Sequence, residues 1–159
     1  MEDIWNITAL VVSVLSVLLS LYALRQATTK NTSDMYLFFI SQYAKEDMKL
    51  ALRKLKDIKR GVYRLEQWES DMKNNLPKAF EYDEARRLVK YFYDTLAYMK
   101  LEKLIEAFVR LICLKKGAWL YLDTVEAMEK FFDSGYDKKP YAVIRDVCEN
   151  LRKEGCCPP

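Results

Sequence analysis

The sequence predicts an all-α protein: one N-terminal transmembrane helix followed by a compact cytoplasmic helical domain. Three observations carry this. A membrane-length apolar run opens the 159-residue chain. Beyond it, apolar residues recur at spacings of three and four, the period of an amphipathic helix. No segment sustains the period-two alternation of a half-buried strand.

The spanning helix is read over 4–24, where the residues from Ile4 to Leu24 hold no charge and are flanked by Glu2, Asp3 and Arg25. At about 1.5 Å per residue this run is roughly 31 Å long, which matches a bilayer's hydrocarbon core. Trp5 and Tyr22 stand near its ends, where amphipathic rings favour the headgroup layer. A cleaved signal peptide needs a basic start, a shorter apolar run and a small-residue cleavage site. Here the start is acidic, the run is long, and R-Q-A-T-T-K follows it. Nearby cations set orientation, and Arg25 and Lys30 lie only on the C-terminal flank. The N-terminus is therefore expected outside and the domain in the cytoplasm.

Within this run Asn6, Ala9, Ser13, Ser16, Ser20, Ala23 and Ala27 follow one another at alternating spacings of 3 and 4. They form one seam of small or polar residues. Membrane helices use small residues for close packing and polar ones as glue, so the seam predicts self-association. In a ring of copies the same hydroxyls would line a water-filled path, because polar groups at membrane depth face protein or water. Sequence leaves packing and lining both open.

Residues 25–33 form a polar juxtamembrane neck, and 34–159 the cytoplasmic helical domain. A first amphipathic segment carries Met35, Phe38, Phe39 and Tyr43 inward. A helix from Glu46 to Arg60 follows, with Met48, Ala51, Leu52, Leu55 and Ile58 on one side, and Gly61 ends it. A short helix around Trp68 and Met72 is broken by Asn74, Asn75 and Pro77. Asp83 is expected to cap a helix with the stripe Leu88, Val89, Phe92, Leu96 and Met99. The apolar phase shifts near Lys100, and a separate or kinked helix is expected to run to Gly117. Trp119 to Phe132 form another helix, and Pro140 starts a last one that Gly155 closes.

Between Lys45 and Arg64 there are eight basic and three acidic residues, a net of +5, against +3 for the whole chain. Lys49, Arg53, Lys56 and Arg60 form a stripe at spacings of 4, 3 and 4. Such a stripe suits anionic headgroups, RNA phosphates, an acidic patch on a neighbouring subunit, or plain solvation.

The chemistry-bearing residues are sparse. With no histidine in the chain, Ser-His and Cys-His nucleophile pairs cannot be built. The four glycines form no phosphate loop. Cys113, Cys148, Cys156 and Cys157 lack the paired C-x-x-C knuckles of a zinc site, and in a reducing compartment they are expected as buried or idle thiols. The terminal C-C-P-P fits a prenylation tail poorly. The expectation is a protein that is not an enzyme and carries no cofactor or metal.

Three stretches carry a resemblance: R-R-L-V-K-Y-F-Y-D-T-L-A-Y-M from Arg86, K-L-I-E-A-F-V-R-L-I from Lys103, and Trp119 leading to the final Arg-bearing helix. With the earlier M-K-L-A-L-R-K-L, the chain resembles bacterial single-pass membrane proteins, nearest to the membrane accessory proteins of type VI-B CRISPR systems. The resemblance implies antiviral defence in the bacterial inner membrane beside an RNA-guided, RNA-cleaving effector. It also implies a ring of copies whose N-terminal helices form a pore, and a divergent version of the helical HEPN nuclease fold. That fold's signature is Arg, four to six residues, then His. Here Arg152 leads to Cys157 and Arg145 to Asn150, so the imidazole used as acid-base group is missing. Arg152 is expected to be structural.

The leading expectation is a membrane-anchored homo-oligomer, in contact with the lipid bilayer and itself, that forms a pore or perturbs the inner membrane in CRISPR-linked defence. The alternative is a membrane-tethered binding module that holds a protein or RNA partner on the basic 45–64 helix. A histidine-less RNase ranks third.

Overall fold

The computed structural model describes residues 16, 19, 20, 22, 23, 26, 33–101, 106–113 and 115–156. The chain forms two compact units, Met1–Ile40 and Ser41–Pro159. The described residues are mostly helical and hold no strand.

The expected spanning stretch 4–24 falls largely outside the described residues. Among them, no helix is long and apolar enough to cross a membrane. Residues 33–44 are helical (α1), with Met35 and Tyr43 half-buried and Phe39 buried. Phe38, expected inward, is 56% exposed and meets the Phe39 ring edge-on at 5.5 Å. Neighbouring helix positions differ by about 100°, so the row Met35–Phe39–Tyr43 leaves Phe38 off its face.

In the second unit, α2 (Glu46–Lys59) buries Met48, Ala51, Leu55 and Ile58. It ends as Gly61 takes φ 73°, while the Gly61 and Val62 N–H groups donate to the carbonyls of Ile58 and Asp57. This pair of bonds satisfies carbonyls left open at the helix end. α3 (Leu65–Lys73) closes the same way through Asn75 at φ 55°. It buries Trp68, whose indole N–H donates to the Ala79 carbonyl at 3.2 Å.

α4 (Pro77–Leu101) is the spine of the unit and packs against α2, α3, α5, α8 and the π-helical segment. It begins six residues before the expected cap. Proline suits a first helical turn, where its missing N–H has no partner to lose. Asp83 is therefore not an N-cap but a buried carboxylate inside the helix.

α4 is described to Leu101 and α5 (Glu106–Cys113) from Glu106, so the expected break just after Lys100 falls on residues outside the described ones; α5 buries Val109, Ile112 and Cys113. Gly117 is not the stop that the sequence suggests. It lies inside α6 (Lys116–Leu120), which runs through a π-helical segment (Tyr121–Val125) into α7 (Glu126–Phe132). Glycine is required there by contact. A Cβ would stand 2.6 Å from the Tyr93 hydroxyl, 2.8 Å from that of Tyr43 and 3.2 Å from Leu52 Cδ2.

The extra residue of a π turn rotates the helix phase. Tyr121, Leu122, Thr124 and Val125 are all buried, followed by Glu126, Met128 and Glu129. A segment covered nearly all round belongs to a core. α8 (Lys139–Lys153) carries Pro140 in its first turn and buries Tyr141, Ile144, Val147, Cys148 and Leu151. Gly155, at φ 76°, closes it.

Candidate anionic-partner interface

α2 sorts its cations by side. Lys54 reaches Glu81 of α4 at 3.0 Å, and Lys59 reaches Asp123 of the π segment at 2.5 Å. The stripe residues Lys49, Arg53, Lys56 and Arg60 are all exposed. Lys49 pairs with Glu46 at 3.2 Å, an exposed i, i+3 contact. Arg53, Lys56 and Arg60 have no ion pair among the described residues.

Tertiary packing enlarges this face. Gly117 packs beside Leu52, and Leu52 lies three residues after Lys49 and four before Lys56, one turn away in either direction. The turn into α6 therefore carries Lys115 and Lys116, both exposed, to the same flank of α2. Sequence reading missed this pair, which lies some sixty residues from the stripe. Their only local signal was a short basic dipeptide before a glycine.

The other concentration of charge is internal. Arg86, almost fully buried, donates to Asp83 Oδ1 at 2.7 Å, pairs with Glu129, and lies 4.6 Å from the Phe132 ring centre. Asp83 also accepts from the exposed Arg87 at 2.8 Å. Lys90 bridges Asp94 at 2.5 Å and Glu129 at 4.0 Å. Arg145 and the Tyr136 hydroxyl each donate to Glu126 at 2.6 Å. Burial and the neighbouring Glu126 push the Tyr136 phenol up to about 12.

Every carboxylate in this network thus meets a cation or a phenol. Charges buried as a satisfied network are held in place rather than free to move protons. What the arrangement can do is clamp α4 to α7 and tie α7 to α8.

Of the seam, Asn6, Ala9 and Ser13 lie outside the described residues. Ser16, Ser20 and Ala23 are helical and exposed, and Ser20 Oγ donates to the Ser16 carbonyl at 2.8 Å. The HEPN-like positions do not converge. Arg145 is spent on Glu126, and Asn150 donates to Asp146 at 3.4 Å. Arg152 is exposed in the last turn of α8, its carbonyl accepting the Gly155 N–H. Its distant partner Cys157 lies outside the described residues.

Cys113 and Cys148 are buried and Cys156 is exposed. The Cys113 and Cys148 thiols share a hydrogen bond across α5 and α8, which lowers Cys148 and raises Cys113. Among the described residues no cluster of three or more acidic or thiol side chains is placed to hold a metal ion.

No protein-family model matches the chain, and no curated protein or solved structure matches it.

Proposed function

We propose that the chain is a membrane-anchored homo-oligomer that permeabilises or perturbs the inner membrane, with 4–24 as its anchor and the small-residue seam as its contact. The observation that carries this reading is the Ser20 hydroxyl donating to the Ser16 carbonyl. A serine bonded to the carbonyl four residues back keeps no free proton for water or a neighbour. What Ser20 offers outward is its small cross-section, the property that lets membrane helices approach closely. The seam then packs copies together, and any aqueous path is a product of the assembly.

The setting in antiviral defence, beside an RNA-guided effector, rests on the resemblance of the 86–145 run. The helical domain has a structural part in this reading, since the arginines nearest to a nuclease signature are engaged elsewhere or lack a histidine.

The double substitution S16L/S20L tests the proposal. Bulky leucines hold the helices apart while raising the apolarity of the anchor. The expected result is membrane insertion at the wild-type level, a smaller detergent-solubilised particle and no dye leakage. Unchanged particle mass and leakage would overturn the proposal.

A further inference from the structure

We propose that the face built from α2 and the turn into α6 lies against anionic lipid headgroups of the membrane that anchors the chain. The inference rests on the anchor reading above and adds to it which side of the domain meets the bilayer. Polybasic surfaces beside a membrane anchor are attracted to anionic headgroups over about a Debye length.

Three observations select this face and this partner. Arg53, Lys56 and Arg60 stand exposed and without ion pairs among the described residues, and the exposed Lys115 and Lys116 directly precede Gly117, which packs on Leu52 of the same helix. Val62 follows the stripe, between Arg60 and Arg64, and is 74% exposed. In a helix end of this type the residue at Val62's position usually packs back on the last turn. Here that position faces Asp57, so the valine is left outward among cations. An exposed apolar side chain set between two arginines in the chain suits the boundary between headgroups and acyl chains.

The remaining surface argues against single-stranded RNA as the partner. Such RNA is held by stacking on exposed aromatic rings. In the second unit the large exposed aromatics among the described residues, Phe80, Tyr91, Tyr98 and Phe132, belong to α4 and α7, and α2 itself carries none. On another side of α2, a groove of about 200 Å³ against α4 is lined by the buried Ala51 and Ala85, and its carboxylates Asp47, Glu81 and Glu84 outnumber its one cation, Lys54. An anionic surface repels that side and favours the basic one.

Lysine acetylation of the full chain, read residue by residue by mass spectrometry, tests the inference. The chain is incorporated into nanodiscs of phosphatidylcholine alone, and into discs where phosphatidylglycerol replaces part of it. Lys49, Lys56, Lys115 and Lys116 are expected to react several-fold more slowly in the anionic discs. The variant R53E/K56E/R60E is expected to lose that protection at Lys115 and Lys116 while still entering both discs. Equal rates in the two discs, or uniform slowing at every lysine, would overturn the proposal. Protection by an added RNA oligonucleotide in phosphatidylcholine discs, without protection by anionic lipid, would reassign the face to nucleic acid. A chain that enters neither disc would remove the anchor reading and this inference with it.

Discussion

The rings of Tyr121 and Tyr141 stack with centroids 4.4 Å apart and planes 8° from parallel, and the Tyr121 hydroxyl donates to Asp94 Oδ1 at 2.5 Å. Tyr93 continues the stack at 5.1 Å and Tyr136 meets Tyr141 edge-on at 5.5 Å. These rings join α4, the π segment and α8, so phenols stand beside aliphatic side chains such as Leu96 and Ile144 at the centre of the unit.

Alkali is therefore expected to unfold the protein. Burial raises the Tyr121, Tyr141 and Tyr93 phenols above their ordinary value, and Tyr136 reaches about 12. A raised folded-state value means that the native chain holds protons which the unfolded chain releases. The stabilisation is complete below the unfolded tyrosine value near 10 and is lost as pH rises from there through about 12. Phenolate absorbance and helical circular dichroism, followed together, should show these tyrosines ionising only as the helices melt. Y136F should make the loss shallower between about pH 10 and about 12. Ionisation of all tyrosines near pH 10 with helicity intact would refute the linkage.

Gly117 allows a second test. G117A puts a methyl group against the Tyr93 and Tyr43 hydroxyls, and overpacking of this kind costs about 1–3 kcal/mol. Removing one obstacle with Y93F should recover part of that loss, so the double variant should be more stable than the sum of the singles. Denaturant midpoints of the full chain in detergent measure this coupling. Strict additivity would mean that the clash is relieved elsewhere.

Arg86 and Arg87 are adjacent, and both reach Asp83, yet they should behave differently. R86A leaves Glu129 and Asp83 poorly compensated in the interior, and loss of one partner of a buried pair costs about 3–5 kcal/mol. Arg87 is 70% exposed, and exposed pairs contribute only about 0–1 kcal/mol. A large drop in melting temperature for R86A beside a small one for R87A is the expected outcome. Similar values for both would place the network's strength outside the interior pair.

Thiol labelling of the native protein should separate the cysteines by depth. Cys156 should react readily with a maleimide, whereas Cys113 and Cys148 should react only once denaturant opens the contact between α5 and α8. Prompt native-state labelling of Cys148 would show that this contact breathes. A depressed thiol is the more reactive one when reached, so the protection would come from burial alone.

The local devices were legible. Gly61, Gly155 and Pro140 mark real helix boundaries because their conformational limits act at the residue itself. The exposed stripe on α2 was legible as well, since a helical face is fixed by spacing. The start of α4 was misread: Asp83 is a residue type that caps helices, but it also serves as a buried partner when two arginines lie one turn ahead. Gly117 was misread for a similar reason. A glycine that ends a helix and one that admits two phenols look alike in one dimension.

The sequence by itself determined the all-α class, most helix ends and the spacing of the basic stripe, because each depends on residues within a turn or two. The small-residue seam is likewise a matter of spacing alone. Only the tertiary structure decided which charges are neutralised and which are left outward. Glu129 reaches Arg86 from α7, Arg145 finds Glu126 across two helices, and Lys115 and Lys116 join α2 through Gly117. A charge's partner is set by distances between segments far apart in the chain, and no periodicity records those distances.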